Sequence, residues 1–279
     1  MPINFFKYIN LKNDDNVVRI EVPKILEDFV EGFYMFDAKK LDGKQLFFND
    51  GYPVLAFMST KNEKTIINVA GTTKEVGNPW LCGGLIKNTY CNSSVPFQNM
   101  LVVRFYPMTF FKLFGISDSS FEKEQVFEFS KIAGSDYEEF NNTYYQSSSL
   151  DNKIGTISDF LIKRIDSHSY PKLITDIIDF IDRESILTVK DLLNIYKGRL
   201  NYKWLERNFK KHLGISPKNY LLIKRFLKAY IDLQSHNSRD LLQIAIDHGY
   251  YDENHFIKDF RKFSGVPPKT YFQNNNFEI

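Results

Sequence analysis

Two periodicities divide the chain. Up to about residue 120, β-branched and aromatic residues gather in short runs punctuated by Gly, Pro and Asn clusters, the pattern of strands joined by turns. The runs are KQLFFNDGYPVLAFMS (44–59), EKTIINVAGTT (63–73), WLCGGLIKN (80–88) and NMLVVRFYP (99–107). Ahead of them, PKILEDFVEGFYMF (23–36) is amphipathic and reads as a helix that closes as a strand. After Pro107, MTFFKLFGI reads as a short helix ending near Gly115. Beyond Phe121 the apolar spacing turns helical over 121–148 and 151–168, with Ile154, Ile157, Leu161 and Ile165 on one stripe. The intervening SSSLDNKIG (147–155) reads as a loop or joint. Pro171 suits a first helical position, and Leu173, Ile174, Ile177, Ile178 and Ile181 give the helix after it an apolar face. The expectation is an α+β chain: a mixed β domain of small barrel or sandwich type (1–120), a helical connector (121–169) and an all-α domain (170–279).

The last of these contains an internal repeat at an offset of 51 residues. It pairs Gly198 with Gly249, Phe209 with Phe260, Lys211 with Lys262, Gly214 with Gly265, Pro217 with Pro268, Lys218 with Lys269 and Tyr220 with Tyr271. Conservative pairs fill the gaps: Leu193 with Ile244, Ile195 with Ile246, Leu205 with Phe256, Lys210 with Arg261. So many unlike residue types in one order describe two copies of one unit. Each copy reads as a short helix (188–196, 240–247), a turn at Gly198 or Gly249 where the lack of a Cβ permits φ > 0, and a second helix (201–213, 252–263). Leu205, Phe209 and Leu213, or Phe256, Phe260 and Phe263, face inward. Helix, glycine turn, helix is the helix-turn-helix arrangement, whose second helix can enter a major groove.

The outward faces then name candidate contacts. They are Tyr202, Lys203, Glu206, Arg207 and Lys210 in the first copy, and Glu253, Asn254, His255, Lys258 and Arg261 in the second. Arg and Lys donate to guanine, Asn pairs with adenine and Glu accepts from cytosine. Lys211, Lys262, Lys218 and Lys269, nearer the helix ends, suit phosphates. Solvated amphipathic helices would carry such residues too. Charge weighs against that plainer explanation: between Arg199 and Lys228 nine basic residues face one acid, Glu206, although the whole chain is only +2.

The segment LLQIAIDHGYYDENHFIKDFRKFSGVPPKTYF (241–272) resembles the C-terminal signature of the AraC/XylS family of bacterial transcription regulators. Gly249-Tyr250, Asp252, Phe256, Phe260, Gly265, Pro268 and Tyr271 fall where that pattern places them. WLERNFKKHLGISPKNYLLIKRFLKAYIDL (204–233) is similar to the family's first unit and joining helix. The resemblance implies a seven-helix DNA-binding domain with two recognition helices in successive major grooves, and RNA polymerase as a partner if the protein activates. Asn194, opposite Ala245, departs from the repeat and points to a less regular first turn. FFNDGYPVLAF (47–57) and VVRFYPMTFFKLFGIS (102–117) look like the β domain that precedes this unit in one branch of the family, a sensor or dimerisation module.

Other chemistry is limited. Nucleophile elbow, phosphate-binding glycine loop and metal-binding helix motif are all missing from the sequence, so no enzyme, cofactor or metal is expected. GTTKEVGNPW (71–80) has glycines without nucleotide-binding spacing, and His168 and His248 read as surface or helix-end residues rather than bases. Arg104 and Tyr106 alternate within an apolar strand and are candidates for holding an anionic small-molecule effector, with a satisfied interior Arg as the plainer alternative. Two cysteines, Cys82 and Cys91, without a His cluster argue for reduced thiols and a cytoplasmic protein. Neither a secretory leader nor a membrane span is evident. The expected partners are double-stranded DNA, an effector and a second copy in a homodimer. The rival class is an enzyme or repair module fused to a DNA-targeting domain, which requires a reactive cysteine.

Overall fold

The computed structural model describes residues 2–10, 17–37, 44–92, 99–115, 124–165, 172–184, 188–235 and 240–274. Helix α1 (Phe5–Asn10) precedes β1 (Val17–Ile20), β2 (Val30–Asp37), β3 (Lys44–Leu46), β4 (Val54–Phe57), β5 (Lys64–Val69), β6 (Thr72–Gly77), β7 (Trp80–Cys82), β8 (Thr89–Asn92) and β9 (Asn99–Phe105). Then come α2 (Pro107–Phe114), β10 (Val126–Glu128), α3 (Tyr137–Gln146) and α4 (Leu150–Ile162). Among the described residues the strands form two sheets, ordered β1-β2-β9-β4-β7-β10 and β3-β8-β5-β6. The helix expected at the start of 23–36 is a single 3-10 turn, Lys24–Leu26.

The larger sheet is a partition. Side chains alternate across a strand, so each central strand feeds two cores. From β9, Leu101, Val103 and Phe105 join a core with Phe110, Phe140, Ile157 and Phe160 of the following helices. Met100 and Val102 face the opposite way, into a core that includes the smaller sheet and the C-terminal helices. Strand β4 divides likewise, with Leu55 and Phe57 to the first core and Val54 and Ala56 to the second.

Two expectations for 121–169 are corrected. Residues 126–128 are not helical: β10 pairs antiparallel with β7, and Val126 and Phe127 go to opposite cores as strand residues do. The loop expected over 147–155 is confined to the three serines 147–149, because Leu150 already opens α4, which Ser149 caps by accepting the Asn152 N–H at 3.2 Å. Helices α3 and α4 pack on the sheet, with Phe140, Tyr144, Ile154, Ile157, Phe160 and Leu161 buried there. Residues 116–123 and 166–171, which include Pro171, His168 and the expected boundary near 170, lie outside the described residues.

The C-terminal helices are α5 (Lys172–Arg183), α6 (Val189–Ile195), α7 (Tyr202–Leu213), α8 (Pro217–Ser235), α9 (Leu241–Asp247), α10 (Glu253–Ser264) and α11 (Pro268–Asn274). On α5 the expected stripe is buried at Ile174, Ile177, Ile178 and Ile181. Apolar packing continues from the sheets into these helices: the Phe48 ring lies 5.4 Å from Phe226 and 5.3 Å from Phe263. Polar ties cross the same junction. The Tyr52 hydroxyl donates to Asp182 at 2.6 Å, and the Tyr230 hydroxyl donates to Asn4 Oδ1 at 3.0 Å.

Candidate nucleic-acid interface

Both second helices are built alike. Asn201 and Asp252 are their N-caps, accepting the backbone N–H of Trp204 at 2.9 Å and of His255 at 2.7 Å. Gly214 and Gly265 end them in the left-handed conformation, at φ 67° and 79°. The inward ridges Leu205/Phe209/Leu213 and Phe256/Phe260/Phe263 are at most 2 % exposed. The same ring pair locks each unit: Phe209 meets Tyr220 edge-on at 5.7 Å, and Phe260 meets Tyr271 at 5.5 Å.

The repeat is less regular than a single offset. Thr188 caps α6 and Asp240 caps α9, 52 residues apart, whereas the second helices keep 51. The turn of the first unit is therefore one residue longer. Leu192, rather than Leu193, is the counterpart of Ile244, and both are fully buried. Ile195 and Ile246, paired in sequence as though core residues, are 52 % and 50 % exposed. Asn194 departs from Ala245 because the two are not structurally equivalent; Asn194 is exposed and Ala245 buried.

Helix α8 joins the units and holds the second one with charge. Arg225 donates to Asp259 on α10 at 2.9 Å and lies 4.1 Å over the Tyr250 ring. Asp232 meets His248, at the end of α9, at 2.9 Å.

With the ridges inward, Tyr202, Lys203, Arg207, Lys210, Lys211 and Lys218 are exposed in the first unit, and Asn254, Lys258, Arg261 and Lys269 in the second. Glu206, Glu253, His255 and Lys262 are half-buried. Glu206 is held by Lys210 at 3.1 Å. His255 is partly committed to its own turn: its ring stands edge-on to Tyr250, and Nδ1 accepts from the Tyr251 N–H at 3.5 Å. Sequence reasoning passed over Tyr251, whose side chain is 87 % exposed just ahead of α10. The available signal was an aromatic residue in a turn, outside the apolar periodicity of either helix.

The two effector candidates do not converge. The Arg104 guanidinium forks onto Asp50, with both bonds at 3.1 Å, and its Nε donates to Glu31 at 2.8 Å. Burial by itself would raise the Asp50 pKa, but Arg104 and then Lys224 outweigh it and hold the carboxyl below the ordinary aspartate value of 3.8. Arg104 is thus an interior cation neutralised by the chain's own carboxylates. Tyr106 instead lines a separate cleft of ≈ 310 Å³ beside Glu27, Asp28 and Asp179, an acidic setting unsuited to an anion.

Cys82 and Cys91 are both buried, and burial pushes the Cys91 thiol up to about 12. Among the described residues no group of three or more His, Cys, Asp or Glu side chains is placed to hold a metal ion. No helix there is long and apolar enough to cross a membrane.

A family model described as a helix-turn-helix domain matches residues 199–274. Over 79 residues the chain is 33 % identical to the HTH-type transcriptional regulator GbdR of Pseudomonas aeruginosa, covering 28 % of this chain and 21 % of that one. Over 80 residues it is 34 % identical to the HTH-type transcriptional activator RhaS of Escherichia fergusonii, covering 29 % of this chain and 28 % of that one. These matches thus span between a fifth and three tenths of the regulators' own length. Among solved structures, ToxT from Vibrio cholerae O395 aligns over 92 % of this chain and 96 % of its own, at 14 % identity and a TM-score of 0.42.

Proposed function

We propose that this chain, whose C-terminal third is an AraC-type helix-turn-helix domain, is a cytoplasmic transcription regulator that reads duplex DNA with α7 and α10 in successive major grooves. The observation that carries the reading is the pair of matched helices. Each is capped at both ends and buried along one ridge, and each presents an exposed basic face from which Arg207, Lys210, Lys258 and Arg261 project. Arg and Lys near the N-terminal half of such a helix reach base edges, while lysines at its end and in the next turn meet phosphates. Helix α8 fixes the spacing of the two units through its buried residues and the Arg225–Asp259 pair.

The N-terminal part acts as a sensor of a small molecule or as a dimerisation surface. Packing continuous between the sheets and the DNA-reading helices supports coupling between them. RNA polymerase is the further partner if the outcome is activation. An enzymatic role finds no support in the cysteines, since both are buried.

Selection of bound sites from a pool of random duplexes tests the proposal. A reproducible two-part site with its halves about one helical turn apart is expected. Recovery of unrelated sequences after several rounds would refute it.

A further inference from the structure

The loop between β7 and β8 comes from the N-terminal sheets yet lies against the ends of both DNA-reading helices. On one side, Asn88 donates its backbone N–H to the Phe263 carbonyl at 2.7 Å, and the Tyr90 hydroxyl donates to the Ser264 carbonyl, so the loop is tied to the last turn of α10. On the other side, Gly84, Leu85 and Lys87 line a cleft of ≈ 480 Å³ together with Glu206, Lys210 and Ser216 of the first unit. Lys87 is therefore placed between the units.

Three lysines from three elements flank these contacts: Lys87 lines the cleft itself, Lys218 lies in sequence between the lining residues Ser216 and Asn219, and Lys262 precedes Phe263, whose carbonyl accepts the Asn88 N–H. Burial first, and then the charges of Lys87 and Lys218, hold the Lys262 ammonium below the ordinary lysine value, with Asp259 acting in the opposite sense. Asp259 itself is bound to Arg225. Among the described residues none of the three lysines forms an ion pair, and Lys87 is anchored through its backbone, its N–H donating to Gln125 at 2.7 Å. The nearby carboxylates are already engaged, Glu206 by Lys210 and Asp259 by Arg225, so the like charges of the three lysines disfavour the free protein and favour an anion that bridges them.

We propose that Lys87 is a DNA-backbone contact supplied by the N-terminal domain, completing with Lys218 and Lys262 a phosphate site on the stretch of duplex between the two grooves. The inference rests on the regulator reading and adds to it. The occupant is the sugar-phosphate backbone of the duplex that α7 and α10 read, because Lys218 of the cluster and Lys210 of the adjoining cleft belong to the same exposed basic face. The domain carrying the sheets would then be part of the DNA footprint. Any shift of the loop relative to α10 would alter affinity for all sequences alike.

The test uses the full chain, a selected duplex and salt titrations of binding between about 50 and 200 mM. Lys87→Met should make the negative slope of log affinity against log salt shallower by about 0.9, the value of one phosphate contact on duplex DNA. Lys218→Met should do the same. Lys87→Arg should restore the slope, which a purely structural role would not require. Free Lys87→Met protein should melt no lower than the parent, since a like charge has been removed from beside Lys262. An unchanged slope with normal wild-type binding overturns this inference alone. Tighter binding by Lys87→Met also overturns it, because the loop would then obstruct the duplex. A wild-type chain that binds no selected duplex overturns the regulator reading and this inference together.

Discussion

Arg225 on the connecting helix α8 and Asp259 on α10 form an ion pair of 2.9 Å, with about 15 % and 13 % of their side chains exposed. Asp259 stands 51 residues after Asn208, which instead donates to the Trp204 carbonyl of its own helix at 2.8 Å. At this position the second unit is tied to α8 by charge, while the first keeps its polar contact within its own helix. Asp259→Ala strands a largely buried guanidinium and should cost about 3 kcal/mol, the lower end of the penalty for breaking such a pair. Urea denaturation of the full chain checks this, and a loss below 1 kcal/mol would show that the pair is idle.

Two glycines separate backbone strain from steric contact. Gly198 lies at φ +82° with open space where a Cβ would stand, whereas Gly214 lies at φ +67° with the Phe111 ring 2.5 Å from that point. Gly198→Ala should cost only the left-handed penalty of about 1–2 kcal/mol. Gly214→Ala should cost clearly more, because Phe111 must also move. Equal midpoint shifts in chemical denaturation would mean that the ring yields freely.

Acid should act through Asp50. Its folded pKa lies below the ordinary 3.8, so the unfolded chain takes up a proton first as pH falls. The stabilisation is therefore complete above about pH 5 and is lost as pH drops below 3.8 towards the folded value. Asp50→Asn should lower stability at neutral pH and flatten the acid limb of a stability–pH curve. Part of the slope will remain, because Asp136, hydrogen-bonded to Arg164, is shifted in the same direction. A variant that retains the full wild-type slope would remove Asp50 from this role.

On DNA, Arg207→Ala and Lys258→Ala should each cost about 1–3 kcal/mol on the selected site and relax preference at particular base pairs. Lys211→Ala should weaken all duplexes alike and reduce the salt dependence by about one contact. Competition between selected and scrambled duplexes measures the difference. Equal losses on both from Arg207→Ala and Lys258→Ala would show that these residues meet phosphates rather than bases.

The thiols should be silent in the folded protein. Both cysteines are buried, and Cys91 is pushed up to about 12. A colourimetric disulfide reagent at pH 8 should therefore react at the rate of unfolding and release two thiols only in denaturant. Rapid labelling of the native chain would reopen the rival enzyme class.

What the sequence determined by itself was local. The periodicity of apolar residues located α7 and α10 and the ridges they bury, while Asn201, Asp252, Gly214 and Gly265 marked their ends through chemistry confined to one helical turn. The repeat exposed the doubling of the unit because both copies solve the same local packing problem. Tertiary structure decided whatever depends on partners distant in the chain. Arg104 and Asp50 are 54 residues apart, and only the fold turns a candidate anion binder into a neutralised interior residue. Strand β10 is too short to show its period and is fixed by pairing with β7. The extra residue in the first turn is hidden by the chance match of Ile195 with Ile246. Lys87 carries no motif at all. It joins the basic cluster only because hydrogen bonds from Asn88 and Tyr90 hold its loop to the end of a helix more than 170 residues away.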